Sequence, residues 1–215
     1  VLGLTIDGSG GRFDTLDAAI RVEADDVVVE GLTIRNAIFG VLVEKSRRVQ
    51  IRNNRLLGQR DKTHGLRGDS IRIWETYDSI IEGNALDYGR DLVIWYSSNN
   101  VIRGNVVLAG RYGSHLMYSH GNVIEKNRYI GNVVGVFVMY SRDVTLRENL
   151  FADSSGAAGV GLGMKESGNI EVTRNLFLHD TVGVYLDTSP LQMDDSNVFS
   201  QNVFRLSETG VMFHS

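Results

Sequence analysis

The chain has 215 residues, of which 42% are hydrophobic and 22% charged, and its formal net charge is −4. This balance is that of a folded protein, and a negative net charge without a basic stripe gives no reason to expect nucleic acid as a partner. The lack of Cys excludes a disulfide framework and a thiolate metal site. The 24 Gly against 1 Pro are typical of an all-β protein with many tight corners.

The chain opens at Val1 in a segment that reads as a strand, VLGLTI, without a Met. Nothing at this start has the pattern of a signal peptide, and no apolar run approaches the length needed to cross a bilayer. We therefore interpret residues 1–215 as a single repeat domain and as a segment of a longer protein. We expect it not to span a membrane itself.

Eight segments share a pattern of two apolar residues flanking a polar one, followed by two polar residues and usually an Asn. Leu32 takes the Asn place in the first segment. The column that follows is Asn54, Asn84, Asn105, Asn127, Asn149, Asn175 and Asn202, with spacings of 30, 21, 22, 22, 26 and 27 residues. A period near 22 with some longer members is typical of stacked coils with loop insertions. Stacked Asn side chains bond to one another and to backbone, so we interpret this column as structural.

A second ladder follows each Asn by about eight residues and alternates strictly between apolar and other residues. Its inner face collects Val41/Val43, Ile71/Ile73, Leu92/Ile94, Ser114/Leu116, Val136/Val138, Leu162/Met164, Val184/Leu186 and Val211/Phe213. Only Ser114 breaks the apolar set. A leucine-rich repeat would need a helix or an L-x-x-L-x-L frame, and a propeller blade needs about twice this period. The pattern therefore predicts an all-β parallel β-helix of about eight to nine coils.

The outward residues of the second ladder are unusual in the middle of the chain. Large apolar and aromatic side chains gather over four consecutive coils, and these are Trp74, Trp95, Tyr96, Met117, Tyr118, Phe137, Met139 and Tyr140. The pattern predicts a contiguous exposed patch, and such patches mark binding sites. The alternative is that a terminal helix, a long loop or another domain covers these side chains.

Within this patch lie candidate ligands for a soft metal. His115 and Met117 are two residues apart on one strand and hence on one face, Met139 is expected one coil above Met117, and His120 follows in the turn. Thioether and imidazole without carboxylate is the donor set that Cu(I) prefers. The alternative is that Met and His only fill an interface. The remaining histidines, His64, His179 and His214, stand on other coils or loops and are weaker candidates.

Carboxylates and arginines also cluster in neighbouring coils. They are Asp69, Glu75, Asp87 and Asp91 with Arg72, Arg90 and Arg111, the kind of cluster that sugar-processing β-helices use. Most of them occupy predicted turns, so we interpret them as solvated or corner salt bridges, and no pair stands out by spacing as acid and base. The glycine-rich turn at 7–11 has no following helix pattern and no phosphate-loop Lys, which excludes a nucleotide site.

Four segments resemble one known family. GRDLVIWYSSNNVIRGN (89–105), GRYGSHLMYSHGNVIEKN (110–127) and GNVVGVFVMYS (131–141) are similar to the NosD family of nitrous oxide reductase maturation proteins, and HGLRGDSIRIWE (64–75) fits as well. The matching coils cover most of the chain. Ser114 stands where a larger apolar residue is expected, at an inward position that bears on packing.

The resemblance implies a right-handed β-helix in the periplasm that works with an ABC transporter pair, NosF and NosY. It implies a role in copper assembly of nitrous oxide reductase, copper binding, and no catalytic residues of its own. The outward patch would then dock a copper chaperone, the reductase or both. The alternative hypothesis is a carbohydrate-active β-helix (a polysaccharide lyase, epimerase or glycosidase), because aromatic columns suit sugar stacking and Asp/Arg clusters suit uronates.

Overall fold

The structure, a computed structural model, describes residues 3–214. Its strands form three parallel sheets along the whole described length, and each full coil contributes one strand to each sheet. The prediction of an all-β, right-handed parallel β-helix is confirmed. Of the predicted opening strand (1–6), Thr5 and Ile6 lie in the first strand, which ends at Asp7, while Val1 and Leu2 lie outside the described residues.

Sheet 1 holds nine short strands: β1 (Thr5–Asp7), β4 (Thr33–Arg35), β7 (Arg55–Leu57), β10 (Ala85–Asp87), β13 (Val106–Leu108), β16 (Arg128–Ile130), β19 (Leu150–Ala152), β22 (Leu176–Leu178) and β25 (Val203–Arg205). Sheet 2 holds the nine longer strands: β2 (Ala18–Val22), β5 (Phe39–Glu44), β8 (Asp69–Trp74), β11 (Asp91–Trp95), β14 (Tyr112–Met117), β17 (Val134–Met139), β20 (Val160–Lys165), β23 (Val182–Asp187) and β26 (Thr209–His214).

Sheet 3 holds eight strands: β3 (Val28–Glu30), β6 (Gln50–Arg52), β9 (Ile80–Glu82), β12 (Val101–Arg103), β15 (Val123–Glu125), β18 (Thr145–Arg147), β21 (Glu171–Thr173) and β24 (Val198–Ser200). One 3-10 turn, His64–Leu66, lies in the insertion between β7 and β8. Across residues 3–214, no helix combines the length and the apolar character that crossing a membrane requires.

The Asn column is a hydrogen-bonded ladder at one corner of the coils. The amide Nδ2 of Asn105 donates to Oδ1 of Asn127 at 3.0 Å and to the carbonyl oxygen of Ile81 at 2.9 Å. The backbone N–H of Asn105 donates to the same Oδ1 at 2.9 Å. Each interior Asn thus satisfies buried groups of the coils on either side, which confirms the structural interpretation.

A second polar ladder, which we did not predict, runs along the corner after sheet 2. Here the backbone N–H of one coil donates to a hydroxyl of the next, as from Ser97 to Oγ of Ser119 at 3.1 Å and from Ser119 to Oγ of Ser141 at 3.0 Å. The hydroxyl residues are Thr76, Ser97, Ser119, Ser141, Ser167 and Ser189. The corner at which sheet 2 turns into sheet 3 is therefore held by side-chain hydroxyl groups from Thr76 to Ser189.

The core lies between the three sheets and contains the predicted inner ladder. These side chains are almost completely buried, except for Val211 and Phe213 in the last described coil. Sheet 1 adds a stack of rings from successive coils, in which Tyr129 lies 5.4 Å from Phe151 and Phe151 lies 4.7 Å from Phe177. The register is therefore fixed by burial, and it decides which residues of sheet 2 point outward.

Candidate docking surface

The structure brings the predicted patch residues together on the outward face of sheet 2 and at its edge. Trp74 pairs with Trp95, Trp95 with Met117, and Met117 with Met139, each as Cα partners on neighbouring strands. The eight residues of the predicted patch are called the aromatic–Met patch below. In-register stacking of four parallel strands is what collects residues that lie up to 66 positions apart in the sequence.

Three tyrosines form a stacked strip along the edge of this patch. The ring of Tyr118 lies 5.3 Å from that of Tyr96 and 4.9 Å from that of Tyr140, with interplanar angles of 14° and 15°. All three have left-handed φ values of 49–50°. The equivalent residues of other coils, Lys45, Glu75, Glu166 and Thr188, have φ values of 46–49°, so this conformation belongs to the turn that follows each strand of sheet 2. The turn itself does not require an aromatic residue, and in three consecutive coils Tyr occupies it and forms a stacked aromatic surface.

The patch is less exposed than predicted. Tyr96 and Tyr118 are exposed, whereas the two Trp, the two Met, Phe137 and Tyr140 are half-buried against one another. His115 and Val93, which also point outward, lie almost wholly buried at 6% and 0% exposure. The larger rings lean over the smaller side chains between them. The alternative was that a terminal helix covers the patch. Residues 3–214 contain no such helix.

Three of the four predicted metal ligands lie on this face. Met117 and Met139 are Cα partners, and His115 lies on the same strand as Met117. Both ring nitrogens of His115 are buried without a hydrogen-bond partner among the described residues, and its ring packs edge-on against Trp95 at 5.3 Å and Tyr112 at 4.9 Å. An imidazole on the same sheet face as two thioethers fits the donor set of Cu(I), although Nδ1 of His115 also lies 3.6 Å from a carboxylate oxygen of Asp91.

His120 stands apart from these three residues. It lies exposed in the turn after β14, and its Nδ1 accepts a hydrogen bond from the backbone N–H of Arg142 at 3.1 Å. No group of three or more His, Cys, Asp or Glu side chains among residues 3–214 could hold a metal ion. The copper prediction therefore depends on the Met thioethers.

The other three histidines lie away from the patch core. His64 begins the 3-10 turn, and His179 lies 2.9 Å from a carboxylate oxygen of Asp153. His214, in the last strand of sheet 2, lies 3.6 Å from a carboxylate oxygen of Asp187. Nothing in these positions brings them toward Met117 and Met139.

Asp91 lies buried beside His115. Arg111 donates to both of its oxygens, through Nε to Oδ1 at 3.0 Å and through Nη2 to Oδ2. The backbone N–H of Tyr112 donates to Oδ1 at 3.2 Å, and Nδ1 of His115 lies 3.6 Å from Oδ2. Burial opposes ionisation of Asp91, but His115 and Arg111 outweigh it and hold the pKa of this carboxyl below its usual value. Asp91 is therefore a carboxylate.

Asp69 repeats this arrangement one coil earlier. Arg72 and Arg90 donate to its two oxygens at 2.6–3.0 Å, and the guanidinium of Arg72 also lies 4.7 Å from the ring of Phe39 and 5.2 Å from that of Trp95. Asp69 and Asp91 form salt bridges with arginine, as interpreted, but the expectation that they are solvated is wrong, because both are buried. Each begins a strand of sheet 2, and the arginines and aromatic rings lie over it.

The remaining acidic residues of the predicted cluster, Glu75 and Asp87, are half-buried. Neither forms an ion pair in the part of the chain that the structure describes. The cluster therefore separates into two buried carboxylates, each bound by arginine, and two acids that take no part in it.

An apolar groove of about 620 Å³ continues the outward face of sheet 2 toward the last coils. Phe137, Gly163 and Tyr185 form its floor, Ala157 and Ala158 wall it from the loop between β19 and β20, and Arg111 stands at one end. We did not predict this groove. The sequence feature that could have indicated it is the spacing of 26 residues between Asn149 and Asn175, which marks the loop insertion that forms the wall.

Comparisons with known proteins agree with this architecture. A family model described as "Periplasmic copper-binding protein (NosD)" matches residues 57–215. A curated relative, "Probable ABC transporter binding protein NosD" of Pseudomonas aeruginosa, is 31% identical over 96 residues, which are 41% of this chain and 22% of the relative. The match therefore spans about a fifth of the relative's length.

Similar solved structures are proteins of low sequence identity and show the fold alone. Endo-xylogalacturonan hydrolase from Aspergillus tubingensis superposes with a TM-score of 0.79 at 12% identity, over 97% of this chain and 69% of that one. A double mutant of the periplasmic alginate epimerase AlgG superposes with a TM-score of 0.63 at 17% identity, over 87% of this chain and 47% of that one. The family match covers most of the chain, so the chain belongs to the NosD family.

Proposed function

We propose that this chain is a non-enzymatic periplasmic scaffold for copper-site maturation of nitrous oxide reductase. Its partners would be the reductase, a copper chaperone, and the ATPase and membrane subunits of an ABC transporter (NosF and NosY). The aromatic–Met patch carries this proposal. The description of the family as periplasmic and copper-binding, and the name of the Pseudomonas aeruginosa relative, support it.

The patch has the physical properties of a protein-docking surface. Trp and Tyr side chains dominate the binding energy of protein interfaces, and here they come from neighbouring strands of a rigid sheet. Because Tyr96, Tyr118 and Tyr140 are already stacked, ordering them on binding costs little conformational entropy. The half-buried Met side chains can adapt to the partner's surface.

The patch is tested by binding of the reductase or its chaperone to a Trp95→Ala, Met139→Ala double variant. We expect the affinity to fall about tenfold or more, as for interface hot spots. A matched control is Val101→Ala with Val123→Ala, which truncates two half-buried Cα partners on the outward face of sheet 3. Equal affinities for wild type and the patch variant would contradict the docking role.

We propose further that the cargo at this patch is Cu(I), held by His115, Met117 and Met139. Their donor types and their placement on two paired strands support this. His120 remains a predicted fourth ligand, although its Nδ1 is engaged by Arg142. Chemically, the protein would offer imidazole and thioether donors behind aromatic rings that limit access of water.

The copper site is tested by anaerobic titration with Cu(I) against a chromophoric chelator. His115→Ala and Met117→Ala are expected to lower the affinity, and His120→Ala shows whether the turn contributes. Met193→Ala is the matched control, because this Met is fully exposed on the loop between β23 and β24 and is not one of the predicted ligands. Unchanged stoichiometry and affinity in both His115→Ala and Met117→Ala would remove the site.

A second candidate function, a carbohydrate-active enzyme, is favoured by the buried Asp69 and Asp91 with their arginines. Against it, the oxygens of both carboxylates are engaged by arginine, and Asp91 is held in its ionised form, so it has no proton to donate. A turnover assay with uronate polysaccharides tests this candidate. Turnover that Asp91→Asn abolishes would replace the scaffold proposal.

A further inference from the structure

The apolar groove is continuous with the aromatic–Met patch. Phe137 belongs to both, and its ring contacts Tyr112 edge-on at 5.6 Å on the groove side. A Cβ at position 163 would lie 2.9 Å from Cδ2 of Phe137, so the glycine lets this ring lean toward the next coil. The ring of Phe137 thus covers Gly163, and together with Tyr185 these residues form the floor of the groove.

The volume and lining of the groove indicate an apolar occupant. At about 620 Å³ it is large enough for a bulky side chain and its neighbours. Among the described residues that line it, Arg111 alone is charged. An aromatic or large aliphatic group would be stabilised by burial against Phe137, Tyr185 and the alanines of the wall.

The charge at the Arg111 end of the groove favours an acidic occupant. Arg111 uses Nε and Nη2 to bind Asp91, so Nη1 remains available, and its side chain is 35% exposed. The neighbouring coils add two further arginines and one more carboxylate, namely Arg72 and Arg90 around Asp69. Within this cluster three arginines bind two aspartates, while Glu75 and Asp87 of the same coils take no part in it, so Arg111 retains a donor that can bind a further carboxylate.

We propose that the groove is the anchor site of the docking surface and that it receives a bulky apolar side chain of the partner protein with a carboxylate beside it. The apolar group would lie between the floor residues Phe137 and Tyr185 and the alanines of the wall, and the carboxylate would accept a hydrogen bond from Arg111. This inference rests on the proposed docking function. It adds the chemistry of the partner segment, which is aromatic or aliphatic and acidic.

The groove is first tested without a partner, using the fluorescent aromatic anion 8-anilinonaphthalene-1-sulfonate. Ala158→Trp fills the groove from an exposed loop and is expected to weaken probe binding about tenfold. The matched control is Ser155→Trp, which adds the same ring on the same loop away from the groove lining and is expected to bind the probe as wild type does. Equal binding by Ala158→Trp and wild type would overturn the groove assignment.

The charge element is tested with the double variant Asp91→Asn, Arg111→Gln, which removes both charges of the pair together. We expect weaker binding of the anionic probe and unchanged binding of neutral N-phenyl-1-naphthylamine. A parallel loss or no loss for the two probes would overturn the acidic part of the proposal. Replacing both residues together is preferred because Arg111→Gln alone would leave the buried carboxylate of Asp91 without its arginine.

Partner binding then separates this inference from the proposed function. The expected result is that Ala158→Trp weakens binding of the reductase or chaperone about tenfold, as the patch variant does, while Ser155→Trp does not. If the patch variant weakens binding and Ala158→Trp leaves it unchanged, the anchor site is wrong and the docking function stands. If both variants bind as wild type, the docking function itself fails.

Discussion

The hydroxyl oxygen of Ser114 lies 2.9 Å from the phenol oxygen of Tyr129, inside the core of the β-helix. Both side chains are fully buried, and Tyr129 pairs with Phe151 of the next coil in the inner aromatic stack. A buried phenol needs a partner, and the small Ser both leaves room for it and provides one. Among residues 3–214, Ser114 is the only break in the predicted apolar ladder and Tyr129 is the only Tyr in this aromatic stack. Their hydrogen bond explains both exceptions together.

We expect Tyr129→Phe and Ser114→Val each to destabilise the protein, by about 1–3 kcal/mol, because each leaves one buried hydroxyl without a partner. The double variant should recover most of this loss, since it restores the pattern of the following coils, where Val136 is the counterpart of Ser114. Urea unfolding of the four proteins measures the coupling. A double variant less stable than either single one would contradict this explanation.

Asn127→Ala should destabilise the protein by about 3 kcal/mol or more, because it leaves several buried groups unpaired. The side chain of Asn127 accepts two hydrogen bonds from Asn105 and donates to Ile102 and Asn149. Asn202→Ala is the control. This Asn lies half-buried in the last described coil, and we expect a smaller loss there. Thermal unfolding compares the two, and equal losses would show that the ladder contributes no more inside than at its end.

Asp180→Asn should stabilise the protein at neutral pH. Burial raises the pKa of Asp180 to about 6, despite a hydrogen bond from the backbone N–H of Ser154, and its Oδ2 has no partner among the described residues. The structure already uses Asn at the same corner two coils earlier, where Oδ1 of Asn132 accepts from Gly110 and Nδ2 donates to the carbonyl of Val107.

The sign of this effect follows from the two pKa values of Asp180. The unfolded chain loses this proton near pH 3.8 and the folded protein near pH 6, so the contribution of Asp180 to stability falls as pH rises through this window. Because each pH unit between the two pKa values is worth about 1.4 kcal/mol, the variant should gain about 2–3 kcal/mol at pH 7.5 and nothing near pH 3.5. Urea unfolding at both pH values measures it. A gain of the same size at both would mean that ionisation is not the cause.

Tyr118→Asn should separate binding from stability. Asn adopts the left-handed conformation of this position more readily than Tyr, which offsets the loss of stacking against Tyr96 and Tyr140. We expect the free energy of unfolding to change by less than about 1 kcal/mol, while affinity for the reductase or chaperone falls. Thermal unfolding and binding measured on the same sample test this. A large loss of stability would show that the strip serves the fold.

Much of the fold followed from the sequence because its determinants are periodic. The Asn column and the strict alternation of the second ladder repeat every coil, so one register places every residue of sheet 2. Ser114 and the loop before Gly159 could be recognised only as exceptions to that register. Their meaning depended on Tyr129 and on the face of sheet 2, which lie in other strands or coils.

The sequence by itself thus determined the parallel β-helix, its inward and outward residues, and the gathering of Trp, Tyr, Met and His on a few coils. It could not determine how outward side chains pack against one another, because that depends on contacts between coils about 22 residues apart. Only the tertiary structure decided that His115 is buried against the rings of Trp95 and Tyr112 and that Asp91 is a carboxylate bound by Arg111. It also showed that the loop wall, Phe137 and Tyr185 form a groove beside the patch, since burial and access depend on volumes that neighbouring coils fill together.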